Sequence, residues 1–364
     1  MPGLAESPVL VGTRANRRWG DKLAEAVRPS RLSRSASRAM GLLGGLPIDA
    51  VRMKDPRLAR ALKRLLLTHP IDVVQIEYGA MAAYLPLIRR LSPSTKIVID
   101  ELEISSVAIA RRFDFEQRPP SWFSRWDAGR WGRFEQRIWC GSDAVLAMSE
   151  SERAVVNRIA GDGRGHVVPN GVDIEYFRPS TRAVSDTGPT RLLFVGNLQH
   201  RPNTEGLATF LKNAWPALSA RLPELELHVV GPAGDEPLQL EGAQQVIFHG
   251  YVDDVRPHLA VAAAAIVPIV SGGGTRLKVL EALASGTPIV STKLGVEGIA
   301  VRDRHEALLT DSVAEFPGVI GDLLDQPERR AALSAAGRRL VEERYNWASI
   351  GDTLERLWFE LKGH

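Results

Sequence analysis

A chain of 364 residues with 44% hydrophobic and 24% charged residues can bury two cores of ordinary size, which points to two domains. Its one cysteine, Cys140, excludes an internal disulfide framework and a cysteine-held metal cluster, and fits a reducing, cytoplasmic setting. Residues 1–20 lack the apolar core of a secretory leader, and the longest apolar run, 259–270, contains Pro268 and is too short to cross a bilayer.

The net charge of +3 is unevenly spread, because residues 1–70 hold 14 Lys/Arg against 5 Asp/Glu. Within them, RPSRLSRSASRAMGLLGGLP interleaves arginine with serine and ends apolar. Such a segment is either a solvated basic face or a surface drawn to anionic lipid headgroups or a phosphorylated acceptor, which opens peripheral attachment to a membrane's inner face. Nucleic acid is not an expected partner, since no recognition motif or aromatic stacking platform accompanies the charge.

In chain order, IDVVQIEY (71–78) reads as a buried strand, AAYLPLIRRL as an amphipathic helix, and TKIVIDELE (95–103) as a strand ending in acids. Residues 104–140 carry Trp122, Trp126, Trp131 and Trp139 among many arginines. DAVLAMSESERAVV gives a short strand and then a helix capped by Ser149 or Ser151. HVVPNGVDIEYFRP (166–179) has strand and turn signals, and the polar STRAVSDTGPT after it marks an interdomain linker.

A second series follows: TRLLFVGNL as a strand, NTEGLATFLKNAWPAL as a helix, LELHVVG and QVIFHGYV as strands, and DDVRPHLAVAA as a short helix. Strands alternating with helices predict an α/β fold of two tandem Rossmann-like domains, each with a parallel sheet covered on both faces. Ligands of such sheets bind outside the carboxyl ends of the strands.

The stretch IVSGGGTRLKVLEALASGTPIVST (269–292) carries the chemistry. Residues 266–270 read as a strand, and Gly272, Gly273 and Gly274 leave bare backbone that a ligand can approach closely. Thr275 is the expected N-cap, Leu277, Leu280 and Ala284 the buried stripe, and Lys278 with Glu281 share another face of the helix. A glycine loop running into a helix N-terminus suits a phosphate. An ordinary strand-to-helix turn with a solvated Lys278–Glu281 pair remains open on this stretch alone, which is neither a Walker A motif nor a dinucleotide fingerprint.

FVGNLQHRPNTEG, HVVGP, the run from VIFHGYVDDVRPHL to the glycine stretch, and GVEGI resemble, in order and spacing, the C-terminal domain of family 4 retaining glycosyltransferases. DAVLAMSESE, VVPNGVDIEYFRP and ERYNWASIGDTLERLW resemble the same family's linker approach and closing helix. The likeness covers about residues 71–360 and is stronger after residue 140. It implies the two-Rossmann GT-B fold, with an acceptor-side domain over 1–172, a linker at 173–189, a nucleotide-sugar donor domain over 190–340 and a closing helix at 341–364 that packs back on the first domain. MPGLAESPVLVGTRANRRWG resembles a later strand of the first domain, so that domain's first βα unit is expected to be missing.

By the resemblance, Glu281 holds the nucleotide ribose, and Gly273, Gly274 and Thr275 meet the donor sugar or diphosphate. Arg276 and Lys278 neutralise the leaving diphosphate, Gly196 and Asn197 face the phosphates, and the loop from His249 to Asp253, with Gly250 and Val252, lies beside the base. Three positions depart from the family. Gly273 stands where an acid opens the motif, Pro202 where a lysine is common (Arg201 is the nearest cation), and Leu102 about where a histidine is common. Asp100, Glu101 and Glu103 are then the available acids, with Asp100 and Glu103 the expected catalytic ones, while carboxylates at a strand end serve equally as helix caps or ion-pair partners. With no Asp-x-Asp in the chain, no metal cofactor is expected, and the cations with helix amides serve instead. The expected partners are a nucleotide-sugar donor and a sugar, lipid-linked or small-molecule acceptor. The competing reading is a non-catalytic module that keeps only the nucleotide pocket.

Overall fold

The protein is described here from a computed structural model that covers residues 44–115, 121–180, 189–233, 245–272 and 276–363. The expectations at Gly273, Gly274 and Thr275, and those on the arginines from Arg14 to Arg38, lie outside these residues.

The first half runs α1 (Ile48–Arg52), α2 (Pro56–Thr68), β1 (Val73–Glu77), a 3-10 turn, α3 (Leu85–Leu91), β2 (Lys96–Glu101), α4 (Ser105–Phe115), α5 (Trp122–Gly141), β3 (Ala144–Ala147), α6 (Glu150–Ala160) and β4 (Gly165–Val167). Its strands pair in parallel in the order β1-β2-β3-β4. Ile97, Val98 and Ile99 of β2 are all fully buried because both faces of the sheet are covered. Ile97 and Ile99 pack with Trp131, Phe134 and Trp139 of α5. Trp122, at the start of α5, is exposed, so the tryptophan-rich stretch is only partly core. Ser149 caps α6 by accepting the Glu152 N–H at 3.2 Å.

The second half runs β5 (Arg191–Val195), α7 (Arg201–Asn213), α8 (Trp215–Arg221), β6 (Glu226–Val230), β7 (Val246–Gly250), α9 (Arg256–Val261), β8 (Ala264–Val267), α10 (Leu277–Ala284), β9 (Ile289–Thr292), β10 (Leu308–Thr310), α11 (Phe316–Leu324), α12 (Pro327–Arg344) and α13 (Trp347–Lys362). Its parallel sheet has the order β10-β9-β8-β5-β6-β7. The strand order reverses between β5 and β8, and in a sheet of this kind the crevice for a ligand opens at the carboxyl ends of those two strands.

Several details differ from the sequence reading. The helix expected over 203–218 starts at Arg201 and breaks at Ala214, because Pro216 lacks the N–H that would continue it. β8 ends at Val267, one residue before Pro268, which cannot donate to the ladder. α12 runs through residues 340–341 to Arg344. α13 then lies against the first sheet, with Ile350 and Leu357 packed on Val98 and Leu146. Trp358 Nε1–H donates to Gln75 Oε1 at 3.0 Å, and Lys362 Nζ meets Asp72 at 2.9 Å.

Candidate functional site

The site starts where β5 ends. Gly231, which follows β6, has φ +143°, and a Cβ there would stand 2.0 Å from the Gly196 carbonyl oxygen, so two strand ends meet backbone to backbone. Asn197 Oδ1 accepts the Gln199 N–H at 2.8 Å, which bends the chain toward α7. The Asn197 carbonyl accepts Asn203 Nδ2–H at 3.0 Å, and Asn203 Oδ1 in turn accepts from Lys278 Nζ at 2.8 Å. One chain of hydrogen bonds thus ties the β5 turn, the first turn of α7 and α10.

Lys278 is mostly enclosed, with its ammonium 4.6 Å from the Phe194 ring centroid. Burial, followed by the neighbouring Arg276 charge, brings its pKa down to about 7. Arg276 stands at the N-cap of α10, with extended backbone at φ −90°, ψ 94° and no side-chain capping bond. Arg276 thus lies off the regular helix, and its charge acts on Lys278. Its Nε and Nη2 atoms are buried and have no hydrogen-bond partner among the described residues. Burial lowers its pKa, and Glu103 and Glu297 oppose that shift. A guanidinium with two buried nitrogens that find no partner among the described residues, beside a helix N-terminus, is an anion-binding arrangement.

Glu281 lies one turn further on and is largely buried, which raises its pKa against the pull of Lys278. Lys278 and Glu281 therefore do not form the solvated pair that the spacing also allowed. Leu277, expected in the buried stripe, is 47% exposed; Val279, Leu280, Leu283 and Ala284 form that stripe instead. As the first residue of α10, Leu277 sits at the open end of the crevice.

Arg201 pairs with Glu205 one turn along α7, and the second Glu205 oxygen accepts from Ser271 Oγ at 2.5 Å. The family's lysine position, Pro202, packs against Gly272. Gly250 has φ +67°, and its carbonyl accepts the Gly231 N–H at 2.8 Å. Val252 is half-buried against the core between β5 and β8, while Tyr251 beside it is exposed.

The pleat of β2 sends its two terminal acids to opposite faces. Glu101 is fully buried under α5, accepts Trp139 Nε1–H at 2.7 Å and has its pKa pushed up to about 8 by burial. Asp100 lies on the α13 side beside Glu77, and burial first, then the Glu77 charge, raises its pKa. Of the two acids expected to be catalytic, Glu103 is grouped electrostatically with Arg276 and His200, and Asp100 is grouped with Glu77 instead. Leu102 is 40% exposed between them.

His200, the residue before α7, was not singled out in the sequence. Burial lowers its pKa, Arg276 and Lys278 lower it further, and Glu103 opposes them. The available signal was its place in the first turn after Gly196, the same turn that carries Asn197. Glu103 also lines a cavity between the two halves with Arg111, Ser149, Ser151, Glu152 and Glu297. Arg111 of α4 makes a bidentate pair with Glu297, which follows β9.

Residues 189–326 match the family model described as glycosyl transferases group 1, and residues 43–176 match the model described as Glycosyltransferase Family 4. The chain belongs to the group 1, family 4 glycosyltransferases. The chain is 30% identical over 241 residues to the D-inositol 3-phosphate glycosyltransferase of Segniliparus rotundus, covering 60% of its own length and 53% of that relative. It is 26% identical over 334 residues to the GDP-mannose-dependent alpha-(1-6)-phosphatidylinositol monomannoside mannosyltransferase of Mycolicibacterium smegmatis, covering 84% and 81%. Several of the curated relatives it matches are spanned by this chain over only about half their length.

Among solved structures, the chain resembles sucrose-phosphate synthase from Thermosynechococcus elongatus, with a TM-score of 0.67 at 20% identity over 84% of this chain and 77% of that one. It also resembles the HepE protein of Anabaena, solved in complex with UDP, with a TM-score of 0.65 at 15% identity over 83% and 81%. At these identities the likeness is one of fold, and the two parallel sheets agree with it as a GT-B architecture.

Proposed function

We propose that this glycosyltransferase moves a hexose, with retention of configuration and without a metal at the diphosphate, from a nucleotide-sugar donor to an acceptor held by the first domain. The observation that carries the reading is the Arg276 guanidinium, with two buried nitrogens that find no partner among the described residues, near Lys278 at the switch point of the second sheet. Breaking the sugar–diphosphate bond puts negative charge on the leaving group, and fixed cations in a site sheltered from water stabilise it more than they stabilise the intact donor. In this reading Glu281, one turn further along α10, accepts from ribose hydroxyls, and the charges of Glu103 on the acceptor side and of Arg276 and Lys278 meet at His200 on the β5 turn.

The names of the relatives above support an inositol-type polyol carrying phosphate, free or as a lipid headgroup, as the acceptor class. No helix of the described residues is long and apolar enough to cross a membrane, so a lipid acceptor would be met at a surface. The basic segment that would serve such a surface, Arg14 to Arg38, lies outside the described residues.

A non-catalytic nucleotide-binding subunit is the second reading, favoured by Leu102 where a histidine is common in the family. One experiment separates the two. The chain is screened by thermal shift against UDP, GDP, ADP and their sugars, and the nucleotide sugar that stabilises it is then assayed for turnover with inositol phosphates and phosphatidylinositol. Stabilisation by one nucleotide with acceptor-dependent release of the free nucleotide is the expected result. Binding without turnover establishes the second reading, and no nucleotide binding overturns both.

A further inference from the structure

Three histidines from three elements converge at the outer edge of the second sheet: His228 on β6, His249 on the edge strand β7 and His258 on α9. One ring nitrogen of each lies within 4.8 Å of those of the other two. His249 Nε2 is 2.9 Å from His228 Nδ1, and the two rings stack with centroids 4.9 Å apart. The His258 ring meets His249 edge-on at 4.5 Å. Behind the trio, Glu226 Oε2 lies 2.9 Å from His228 Nε2. That contact makes Nε2 the protonated nitrogen of His228 and turns the Nδ1 lone pair toward the other two rings. A carboxylate behind a histidine, fixing its tautomer, is the usual support of a metal-bound imidazole.

We infer that the trio is a binding site for a divalent transition metal of the zinc type, held by His228, His249 and His258 with water in the remaining position and Glu226 orienting His228. Zinc–nitrogen bonds of ~2.0–2.1 Å at tetrahedral angles place ligand nitrogens ~3.4 Å apart. The 2.9 Å pair must therefore open slightly and His258 must close in. The graded exposure permits this: His228 is buried, His258 intermediate and His249 exposed, so the metal enters from the His249 side and the outer ring does the moving. Arg191 is the nearby cation, but its Nε shares Glu226 Oε2 at 3.4 Å, which keeps its charge compensated. Bound there, the metal pins the edge strand β7 and the turn at Gly250 to α9. It acts on the fold around that turn, apart from the Arg276–Lys278 cations.

The test uses the tag-free full-length chain, stripped with EDTA, dialysed and titrated with Co²⁺ as an optical probe and then with Zn²⁺. One equivalent of Co²⁺ should give visible bands of a four-coordinate site, and Zn²⁺ should bleach them. Zn²⁺ in ~100-fold excess over its Kd should raise Tm by about 3 °C. His249→Ala and His258→Ala, at positions that tolerate change better than buried His228, should each abolish the bands. Glu226→Gln should keep the bands but weaken Zn²⁺ about 10- to 100-fold. Absence of bands and of a Tm shift in the wild-type chain overturns the site, and so does unchanged binding by a His249→Ala/His258→Ala double variant.

Discussion

The Arg111 guanidinium grips the Glu297 carboxylate across the cavity between the two halves, with Nη2 2.7 Å from Oε1 and the two residues 186 positions apart in the chain. The pair stands on the cavity that also holds Glu103, and both side chains remain about one-third exposed, so its worth is modest. Arg111→Ala and Glu297→Gln should each lower kcat/KM about two- to fivefold, through a looser approach of the halves. The double variant should cost little more than either single one, because one interaction is being removed twice. Simple additivity of the two losses would detach the pair from the function of the cavity.

Arg276→Ala and Lys278→Ala, made separately, should each cut kcat by about 10²–10³ with a much smaller change in donor affinity, since their charge matters most as the diphosphate leaves. Single-turnover kinetics at saturating donor checks this. If both variants keep wild-type kcat, the diphosphate lies elsewhere and Arg201 becomes the next residue to replace. Magnesium added after EDTA should restore nothing; any effect of chelation that arises at the histidine trio should be reversed by zinc.

Lys278 gives the site a pH dependence. Its pKa is about 7 in the folded protein against an ordinary 10.5, so between those values the unfolded chain binds more protons and stability rises with pH. Below about 7 the folded state carries the full penalty of a buried cation. Lys278→Met should flatten that slope and stabilise the ligand-free protein near neutral pH by on the order of 2 kcal/mol, read from urea titrations. Nucleotide diphosphate affinity should run the other way in the wild type, falling as pH rises above about 7. A wild-type stability that falls between neutral and alkaline pH in step with loss of the Lys278 proton would contradict the burial argument.

Glu281→Gln should weaken nucleotide binding about tenfold or more, because a charge-assisted hydrogen bond to a ribose hydroxyl contributes about 1.5–3 kcal/mol. Calorimetry with the nucleoside diphosphate and with inorganic pyrophosphate separates the ribose from the phosphates. The loss should appear with the nucleotide and be absent with pyrophosphate. Equal affinity of variant and wild type for the nucleotide removes Glu281 from the site.

The sequence by itself determined the alternation of strands and helices, the two parallel sheets and the candidate donor residues on the turn after β5 and along α10. These are local signals: buried strands read as apolar runs such as Ile97 to Ile99, and a glycine loop before Arg276 marks a strand-to-helix turn. Packing decided the rest. Sequence spacing could not show that Arg276 sits outside the regular helix, because capping is set by backbone angles. Neither could spacing tell Asp100 from Glu103, since their surroundings come from α13 on one side and from the second domain on the other. His200 with Glu103 and Arg111 with Glu297 are pairings of residues far apart in the chain, and the three histidines come from three separate elements, β6, β7 and α9. Only the tertiary fold brings such side chains within reach, because a contact between distant segments depends on strand order and register, which local periodicity does not encode.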